Sequence, residues 1–256
     1  QEFLKNNKNT WLITGVGGFI GSNLLEKLLK LNQKVVGLDN FDTGHQHNID
    51  KAIEDAKKTN GKDVSSNFTF IEGDIRDLNH CMNACNNVDY VLHQAALGSV
   101  PRSIKDPLPT NSVNVEGFLN ILNSSRLSKK LKRLVYASSS SVYGDSIELP
   151  KLEGEEGSVL SPYALTKKIN DDYAKIFNDV YGFKSIGLRY FNVFGPKQNP
   201  LNTYAAVIPI FCKNMLNNQP CLINGDGITS RDFTYIDNVV QANILALYSN
   251  KLSKHE

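Results

Sequence analysis

The sequence has little sulfur chemistry and no recognisable metal-ligand pattern. Its four cysteines, Cys81, Cys85, Cys212 and Cys221, include no CxxC spacing, and its five histidines form no HExxH or paired Cys/His cluster. We therefore expect neither zinc nor disulfide bonds, and no metal site. Cys81 and Cys85 are four residues apart, which two small, semi-apolar side chains on one helix face explain better than a redox pair.

Long apolar runs and an excess of charge of one sign are also missing. No stretch approaches the roughly 20 consecutive apolar residues that cross a bilayer, and residues 1–9 are polar rather than signal-like. The 28 basic and 26 acidic side chains leave a formal net charge of +2, which gives no electrostatic reason to expect nucleic acid or membrane as a partner. With 41% hydrophobic residues among 256, we expect a globular, cytoplasmic protein.

Short β-rich runs alternate along the chain with longer helical patterns. The runs are apolar throughout rather than alternating, as burial on both faces of a parallel sheet requires. The sequence therefore predicts the α/β class, with a Rossmann-type doubly wound parallel sheet. The predicted strands are 11–14, 34–38, 68–71, 88–93, 133–137 and 185–190, and the predicted helices are 19–31, 78–85, 113–127 and 162–181.

The pattern changes after residue 190, where proline and glycine interrupt shorter elements. Residues 1–190 are expected to form an NAD-binding Rossmann domain, and residues 191–236 part of a smaller substrate-binding region. A helix at 237–250 is expected to return to the first domain. The polar stretch 50–67 is predicted to be a surface insertion. Because few residues follow 250, we expect the remainder of the second domain to lie beyond residue 256.

A glycine-rich loop follows the first predicted strand. Gly15, Gly18 and Gly21 are spaced three apart in GVGGFIG and open a helix. Glycine is needed because a side chain would keep the backbone away from a pyrophosphate, which a helix N-terminus attracts. Asp39, at the end of the second strand, suits ribose hydroxyls, and no Arg or Lys between it and Asn48 would neutralise a 2′-phosphate. The pattern predicts dinucleotide binding, with NAD preferred over NADP.

Tyr163 and Lys167 are one helical turn apart in YALTK, and a serine run at 138–141 ends the fifth predicted strand. A nearby ammonium favours a phenolate, so Tyr163 is a candidate general base. Hydroxyls at a strand end can hydrogen-bond a substrate oxygen as its proton leaves. A Tyr-x-x-x-Lys spacing arises easily by chance among ten tyrosines, so the pair gains its weight from the serine run and the glycine loop.

The combination of GVGGFIG, LDN, GDIRD, HQAA, SSSSVYGD, SPYALTK and RYFNVFGP resembles the nucleotide-sugar branch of the extended short-chain dehydrogenase/reductase family. Within it, HQAALGSVPRSI, YAAVIP and NGDGITSRDFTYIDN are similar to bacterial UDP-N-acetylglucosamine 4-epimerases, which supply surface polysaccharide precursors such as those of O antigen. The match runs from about residue 11 to 248. The resemblance implies NAD as cofactor, a UDP-sugar as substrate, and a homodimer formed through the helices at 113–127 and 162–181.

The resemblance also implies roles for single residues. Ser139 would lie near the sugar O4, Tyr163 would act as base, Lys167 would bind the nicotinamide ribose, and Arg231 would pair with the diphosphate. The expected cofactor-binding residues are Gly15, Gly18, Phe19, Ile20, Gly21, Asp39, Asn40, Asp74, Ile75, Gln94, Ala95, Ala96, Tyr163, Lys167 and Tyr190. The expected substrate-binding residues are Ser99, Ser139, Ser140, Ser141, Tyr163, Asn192, Gln198, Ala206, Val207 and Arg231.

The implied reaction removes the C4 hydroxyl proton to Tyr163 and the C4 hydride to NAD, then returns the hydride to the opposite face of the rotated 4-keto sugar. Other family activities remain as alternatives: UDP-glucose 4-epimerase, UDP-glucuronate decarboxylase, 4,6-dehydratase, or NAD binding without catalysis. Ser140 and Ser141 stand where dehydratases typically carry Asp and Glu, which argues against dehydration. The N-acetyl-type segments argue against decarboxylation, and the presence of Tyr163 with Lys167 argues against a non-catalytic protein.

Overall fold

One six-stranded parallel sheet organises the computed structural model, which describes residues 4, 6–200, 206–223 and 225–248. The strand order is β3-β2-β1-β4-β5-β6, so the chain winds outward from β1 in both directions. The predicted α/β, doubly wound class is confirmed. The strands of this sheet are β1 (Thr10–Thr14), β2 (Lys34–Asp39), β3 (Phe68–Glu72), β4 (Tyr90–His93), β5 (Arg133–Ser139) and β6 (Ser185–Tyr190).

Helices connect the strands and cover both faces of the sheet. The helices in the described part of the chain are α1 (Phe19–Lys30), α2 (Gln46–Asn60), α3 (Leu78–Ala84), α4 (Val100–Lys105), α5 (Pro107–Asn111), α6 (Gly117–Leu127), α7 (Pro162–Tyr181), α8 (Val207–Leu216) and α9 (Ile236–Tyr248). Short 3-10 turns occupy Ser65–Asn67 and Ser140–Tyr143. A separate pair of parallel strands, β7 (Asn192–Phe194) and β8 (Phe233–Tyr235), lies in the later region.

Two apolar cores form because successive side chains of a strand point to opposite faces of the sheet. On β1, Trp11 and Ile13 belong to the core beneath α1, α2 and α9, whereas Leu12 belongs to the core beneath α3, α6 and α7. Both faces are therefore buried, which explains why the strands lack a polar alternation. Cys81 and Cys85 are buried in the second core, where burial raises the pKa of each thiol, to about 12 and about 11.

The predicted surface insertion at 50–67 is wrong, because most of it belongs to the crossover helix α2. Ile49, Ala52 and Ala56 are buried against α1, at the spacing of one helix face. The other face is so rich in charged and polar side chains that the apolar stripe is hard to see in the sequence. Gly61 ends the helix in the left-handed conformation, with φ of 63°.

Three further boundaries differ from the prediction. The fourth strand begins at Tyr90 rather than at 88, and just before it the Asp89 side chain accepts a hydrogen bond from Thr10 N at 2.9 Å. The fifth strand runs on to Ser139, which pairs in register with Tyr190. The predicted helix 113–127 begins with a π-helical segment, Ser112–Glu116, before α6.

Helix α9 packs on the central sheet although it follows the second region in sequence. Ile236, Val240 and Leu247 are buried in the same core as Trp11, and Arg133 Nη1 donates to the Ala246 carbonyl oxygen at 3.2 Å. The described part of the predicted helix 237–250 ends at residue 248. Residues 249 and 250, residues 204 and 205 of YAAVIP, Asn224 of NGDG and the tail to 256 lie outside the described residues. None of the helices in the described ranges is long and apolar enough to cross a membrane.

Helix α9 offers a matched test of its contribution to the core. Leu247 is 4% exposed and Leu245 is 59% exposed. We expect Leu247→Ala to lower the free energy of unfolding by about 2–4 kcal/mol, because it leaves a cavity in the core. Leu245→Ala should change it by no more than about 0.5 kcal/mol. Urea unfolding followed by circular dichroism measures both, and equal effects would show that α9 is not part of the cooperative core.

Candidate active site

A cleft of about 400 Å³ lies at the carboxyl ends of the central strands. This is where open α/β sheets bind ligands, because the strand order reverses there and leaves a crevice. Twelve of the fifteen expected cofactor-binding residues line this cleft. They are Gly15, Gly18, Phe19, Ile20, Gly21, Asp39, Asn40, Asp74, Ile75, Gln94, Ala95 and Ala96.

The glycine loop at the base of the cleft brings backbone segments into contact. A Cβ at Gly15, which has φ of 70°, would lie 2.8 Å from Ala95 N, and a Cβ at Gly21 would overlap the Gly15 carbonyl oxygen. Gly18 is the N-cap of α1 and has no capping side chain. The free N–H groups of the helix terminus therefore face a cleft without side-chain obstruction, which fits the pyrophosphate of a dinucleotide.

Asp39 closes one end of the cleft and is nearly buried. Its carboxylate accepts hydrogen bonds from Gly17 N and Phe41 N, both at 2.8 Å, while burial raises the pKa of the group. A carboxylate carries more acceptor sites than these two donors use, so it can also accept from ribose hydroxyls. The nearby cation Arg76 is bound to Asp74, whose pKa it lowers to about 2. The surroundings thus favour a ribose without a 2′-phosphate.

The hydroxyls of Ser141 and Ser139 lie beside Tyr163. Ser141 donates to Ser139 Oγ through both its N–H (3.1 Å) and its hydroxyl (2.9 Å). With these two acceptor positions filled, Ser139 keeps its own hydroxyl proton for a further acceptor. Burial raises the pKa of Tyr163, and the interaction with the Ser139 hydroxyl acts against that rise. The sequence attributed the stabilisation of the phenolate to Lys167, whereas in the structure it is the Ser139 hydroxyl that acts on the pKa of Tyr163.

Lys167 is 3% exposed and points back to the strand end. Its Nζ donates to the Ala137 carbonyl oxygen at 2.8 Å. Burial lowers the pKa of the ammonium to about 8. His93, on β4, is buried and neutral, because burial and the charge of Lys167 lower its pKa to about 3. A single buried positive charge therefore lies behind the serine run.

The first turn of α7 is fixed by neighbouring side chains, so Tyr163 has a defined position. Ser161 caps the helix by accepting from Ala164 N at 3.1 Å, and Tyr163 N donates to Ser103 Oγ at 3.1 Å. In the π-helical segment, the Asn114 side chain donates to Thr166 Oγ1 at 3.1 Å. Segments with π geometry occur frequently at functional sites. Tyr163 is held by α4 and the π segment as well as by its own helix.

A strap of residues 195–199 crosses the rim of the cleft from the later region. Asn23 Nδ2 donates to the Pro196 carbonyl oxygen at 3.0 Å, and Lys197 forms an ion pair with Glu26. Gln198, which belongs to this strap, lines the cleft. Ser99 and Ala206, from other segments, also line it. Three of the expected substrate-binding residues therefore share the cleft with the expected cofactor-binding residues.

Other expected substrate-binding residues lie outside the lining of this cleft. Arg231 is exposed and donates to the carbonyl oxygen of its neighbour Ser230 at 2.7 Å, so the structure does not direct it to a diphosphate. Asn192 is exposed and donates to the Asp232 carbonyl oxygen at 2.9 Å. Val207 is the first residue of α8 and is 43% exposed. Ser140 lies in the 3-10 turn after β5.

Tyr190 reaches the cleft through another side chain. Its hydroxyl donates to Gln94 Oε1 at 3.2 Å and accepts from Asn243 Nδ2 at 2.7 Å. Gln94 Nε2 donates in turn to Asn243 Oδ1 at 3.2 Å, which closes a ring of hydrogen bonds between β4, β6 and α9. Tyr190 thus supports the floor of the cleft from behind.

Several residues of the site were missed by the sequence analysis. Asn48 Nδ2 donates to the Gly17 carbonyl oxygen at 2.8 Å and so braces the glycine loop from α2. Thr14 Oγ1 lies 2.7 Å from His93 Nδ1. Asp171 and Arg189 lie behind Lys167. The one signal available was the spacing of Asp171, four residues after Lys167. No group of three or more His, Cys, Asp or Glu suited to a metal ion occurs in the described ranges.

The position of Asp39 yields a test of cofactor recognition. Asp39→Asn preserves the shape but removes the charge, so each ribose hydroxyl loses a charge-assisted hydrogen bond. We expect the NAD affinity to fall by about ten- to a hundredfold. Asp50→Asn, at an exposed carboxylate of α2, is the matched control and should bind NAD like the native protein. Isothermal titration calorimetry measures all three, and an unchanged affinity in Asp39→Asn would refute the role.

Related proteins match most of the chain. It is 39% identical over 239 residues to a putative UDP-glucose 4-epimerase of Methanocaldococcus jannaschii, a match that covers 92% of this chain and 72% of that protein. It is 32% identical to UDP-glucuronate 4-epimerase 4 of Arabidopsis thaliana over 94% of this chain, but it spans only 54% of that longer protein.

Solved structures share the fold over a similar range. The UDP-N-acetylglucosamine 4-epimerase of Methanobrevibacter ruminantium, in complex with UDP-N-acetylmuramic acid, superposes with a TM-score of 0.86 at 36% identity and covers 95% of this chain and 74% of its own. The Thermus thermophilus UDP-glucose 4-epimerase in complex with NAD gives a TM-score of 0.78 at 32% identity, covering 94% and 75%.

The model of the NAD dependent epimerase/dehydratase family matches residues 11–256, from the first strand onward. This range contains the glycine loop, Asp39, the serine run and the Tyr163–Lys167 pair, so the match and the cleft rest on the same residues. The chain belongs to the NAD-dependent epimerase/dehydratase family, and NAD is its cofactor.

Proposed function

We propose that this chain is a cytoplasmic UDP-sugar 4-epimerase whose substrates are UDP-N-acetylhexosamines, interconverting UDP-GlcNAc and UDP-GalNAc for surface polysaccharide synthesis. The observation that carries the proposal is the group at the end of β5, where Ser141 binds Ser139 beside Tyr163 and the buried Lys167. A candidate base, a hydroxyl donor and a cation in one group support proton transfer from a sugar hydroxyl.

The chain's own residues divide the work of the reaction. Tyr163 takes the proton from the sugar O4; burial raises the pKa of Tyr163, and the interaction with Ser139 acts against that rise. Lys167 binds the ribose next to the nicotinamide and adds a positive charge to the site. Bound NAD supplies a reversible hydride acceptor for C4, which allows inversion without net oxidation.

The N-acetyl preference is supported by two groups in the cleft. Ser99 and Gln198, which the family resemblance assigns to the N-acetyl group, both line it. Gln198 Nε2 donates to the Val193 carbonyl oxygen at 3.3 Å, which leaves its side-chain oxygen as an acceptor for an amide N–H. The similarity to a solved UDP-N-acetylglucosamine 4-epimerase is a further support.

A product assay tests the proposal. The protein is incubated with UDP-GlcNAc or with UDP-glucose, and the 4-epimers are resolved by anion-exchange chromatography and proton NMR. We expect UDP-GalNAc to form faster than UDP-galactose. Faster formation of UDP-galactose, or epimerisation of UDP-glucuronate alone, would overturn the N-acetyl preference. Formation of a 4-keto-6-deoxy product would overturn epimerisation itself.

Tyr163→Phe tests the assignment of the base. We expect kcat to fall by about 10²- to 10⁴-fold, because the variant cannot accept the O4 proton, while NAD affinity is retained. Tyr181→Phe is the matched control: this tyrosine is exposed at the end of the same helix, under Arg126, and its variant should retain native kcat. Native turnover in Tyr163→Phe would assign the base elsewhere.

We further propose that two copies of the chain associate through α6 and α7. Leu165, Ile176 and Val180 are 47%, 51% and 64% exposed and share one face of α7, and Leu127 of α6 is 54% exposed. Light scattering should give twice the 28.5 kDa chain mass, and Val180→Asp should give the single-chain mass. A monomer mass for the native protein would exclude this dimer.

A further inference from the structure

Asp171 lies on α7 one helical turn after Lys167, and its carboxylate faces β5. Oδ1 accepts a hydrogen bond from the Tyr136 hydroxyl at 2.9 Å, and Oδ2 accepts one from Ser138 Oγ at 3.1 Å. Tyr136 and Ser138 are two apart on the strand, so both point to the same face of the sheet. One carboxylate therefore grips the strand on either side of Ala137.

Ala137 is the residue whose carbonyl oxygen accepts the Lys167 ammonium, at 2.8 Å. Asp171 and Lys167 thus bind three consecutive residues of β5 from one face of α7. The next residue of the strand is Ser139, the hydrogen-bond partner of Tyr163. A shift of β5 relative to α7 would move the Ala137 carbonyl, which binds Lys167, together with Ser139. The Asp171 hydrogen bonds oppose such a shift.

The charges around Lys167 make the same carboxylate electrostatically important. Burial lowers the pKa of Lys167 to about 8, and the Asp171 carboxylate acts in the opposite direction. From β4 the group facing the ammonium is His93, which is neutral because its pKa is about 3. On β5 and on α7 itself, Tyr136 and Tyr163 are neutral phenols with raised pKa values.

Arg189, on β6, approaches Asp171 from the other side. Its Nε and Nη2 both lie 3.4 Å from Asp171 Oδ2. Burial raises the pKa of Asp171, and the two hydroxyl donors and Arg189 act against that rise. Arg189 also pairs with Glu156 and lies 4.9 Å from the centre of the Tyr143 ring, so its own position is fixed.

We propose that Asp171 is a positioning residue of this enzyme: its hydrogen bonds to Tyr136 and Ser138 hold the Ala137 carbonyl under Lys167, and its carboxylate supplies a negative charge one helical turn from that lysine. The inference rests on the proposed function in that the charged lysine is needed there to bind the cofactor ribose. Asp171 itself acts through Lys167 and β5.

The test replaces one of two adjacent carboxylates on α7. Asp171→Asn is isosteric and removes the inward charge. Asp172→Asn removes the same charge from an exposed side chain that pairs with Lys168, and it serves as the matched control. The readout is the NMR titration of the ¹³C- and ¹⁵N-labelled Lys167 side chain in the NAD-bound protein, assigned with Lys167→Met.

We expect the titration midpoint of Lys167 to fall by about one pH unit in Asp171→Asn, a tenfold change in the protonation equilibrium, because the attractive charge is lost. The midpoint should stay at its native value in Asp172→Asn. In the epimerase assay, the alkaline limb of kcat/KM should move to lower pH by the same amount. An unmoved midpoint in Asp171→Asn would overturn the inference.

The Lys167 titration can be interpreted whatever the outcome of the epimerase assay. If no epimer forms, the proposed function fails, whereas the titration of Lys167 still decides the role of Asp171. If Asp171→Asn does not fold, Asp171→Glu decides it: the charge is kept but moved by one methylene, so kcat should fall while the Lys167 midpoint stays native. Native kcat in Asp171→Glu would overturn the positioning role.

Discussion

The contact of bare backbone at Gly15 and Gly21 is the constraint on which the rest of the site depends. It lets β1, α1 and the chain after β4 converge at one point, at distances that no side chain would permit. Since α1 begins there, its N-terminal N–H groups open into the cleft, and Asp39 reaches the same cleft through its bond to Gly17. The dinucleotide site is thus a consequence of how three segments pack, and no charged side chain is needed to create it.

The reacting end of the cleft is built on a different principle. There, the end of β5 carries several hydroxyl groups and binds the buried charge of Lys167, and α7 contacts β5 at several residues. Lys167 donates to a backbone carbonyl, while Ser139 accepts two hydrogen bonds from Ser141. Each group is thus oriented by the protein before a ligand arrives, and Lys167 keeps further N–H donors. Orientation is therefore established by the fold rather than by the ligand.

The sequence predicted what depends on local spacing and missed what depends on tertiary contact. The glycine triplet, the position of Asp39 and the Tyr163–Lys167 turn are short-range patterns; the glycines and Asp39 line the cleft, and Lys167 contacts β5. The helix α2 was mistaken for an insertion because its polar face outnumbers its buried stripe. The hydrogen bond from Lys167 to Ala137 joins residues that are 30 apart in sequence, and no spacing pattern predicts it. Arg231 was expected at a phosphate from its motif alone, and its side chain lies exposed.

Helix α9 packs in the core beneath α1 and α2. Strand β1 therefore shares its core with residues that are synthesised much later. Trp11 shares a core with Leu247, more than two hundred residues away in sequence, and Arg133 binds the last turn of the same helix. During translation, the sheet emerges with one face still lacking α9, so apolar surface stays uncovered until residue 248 has left the ribosome. Pairings of such high sequence separation slow folding and prolong exposure to aggregation. The residues that line the cofactor cleft all precede α9, but Asn243 of α9 completes the hydrogen bonds beneath Gln94, so the floor of the cleft gains its full support only when that face is covered.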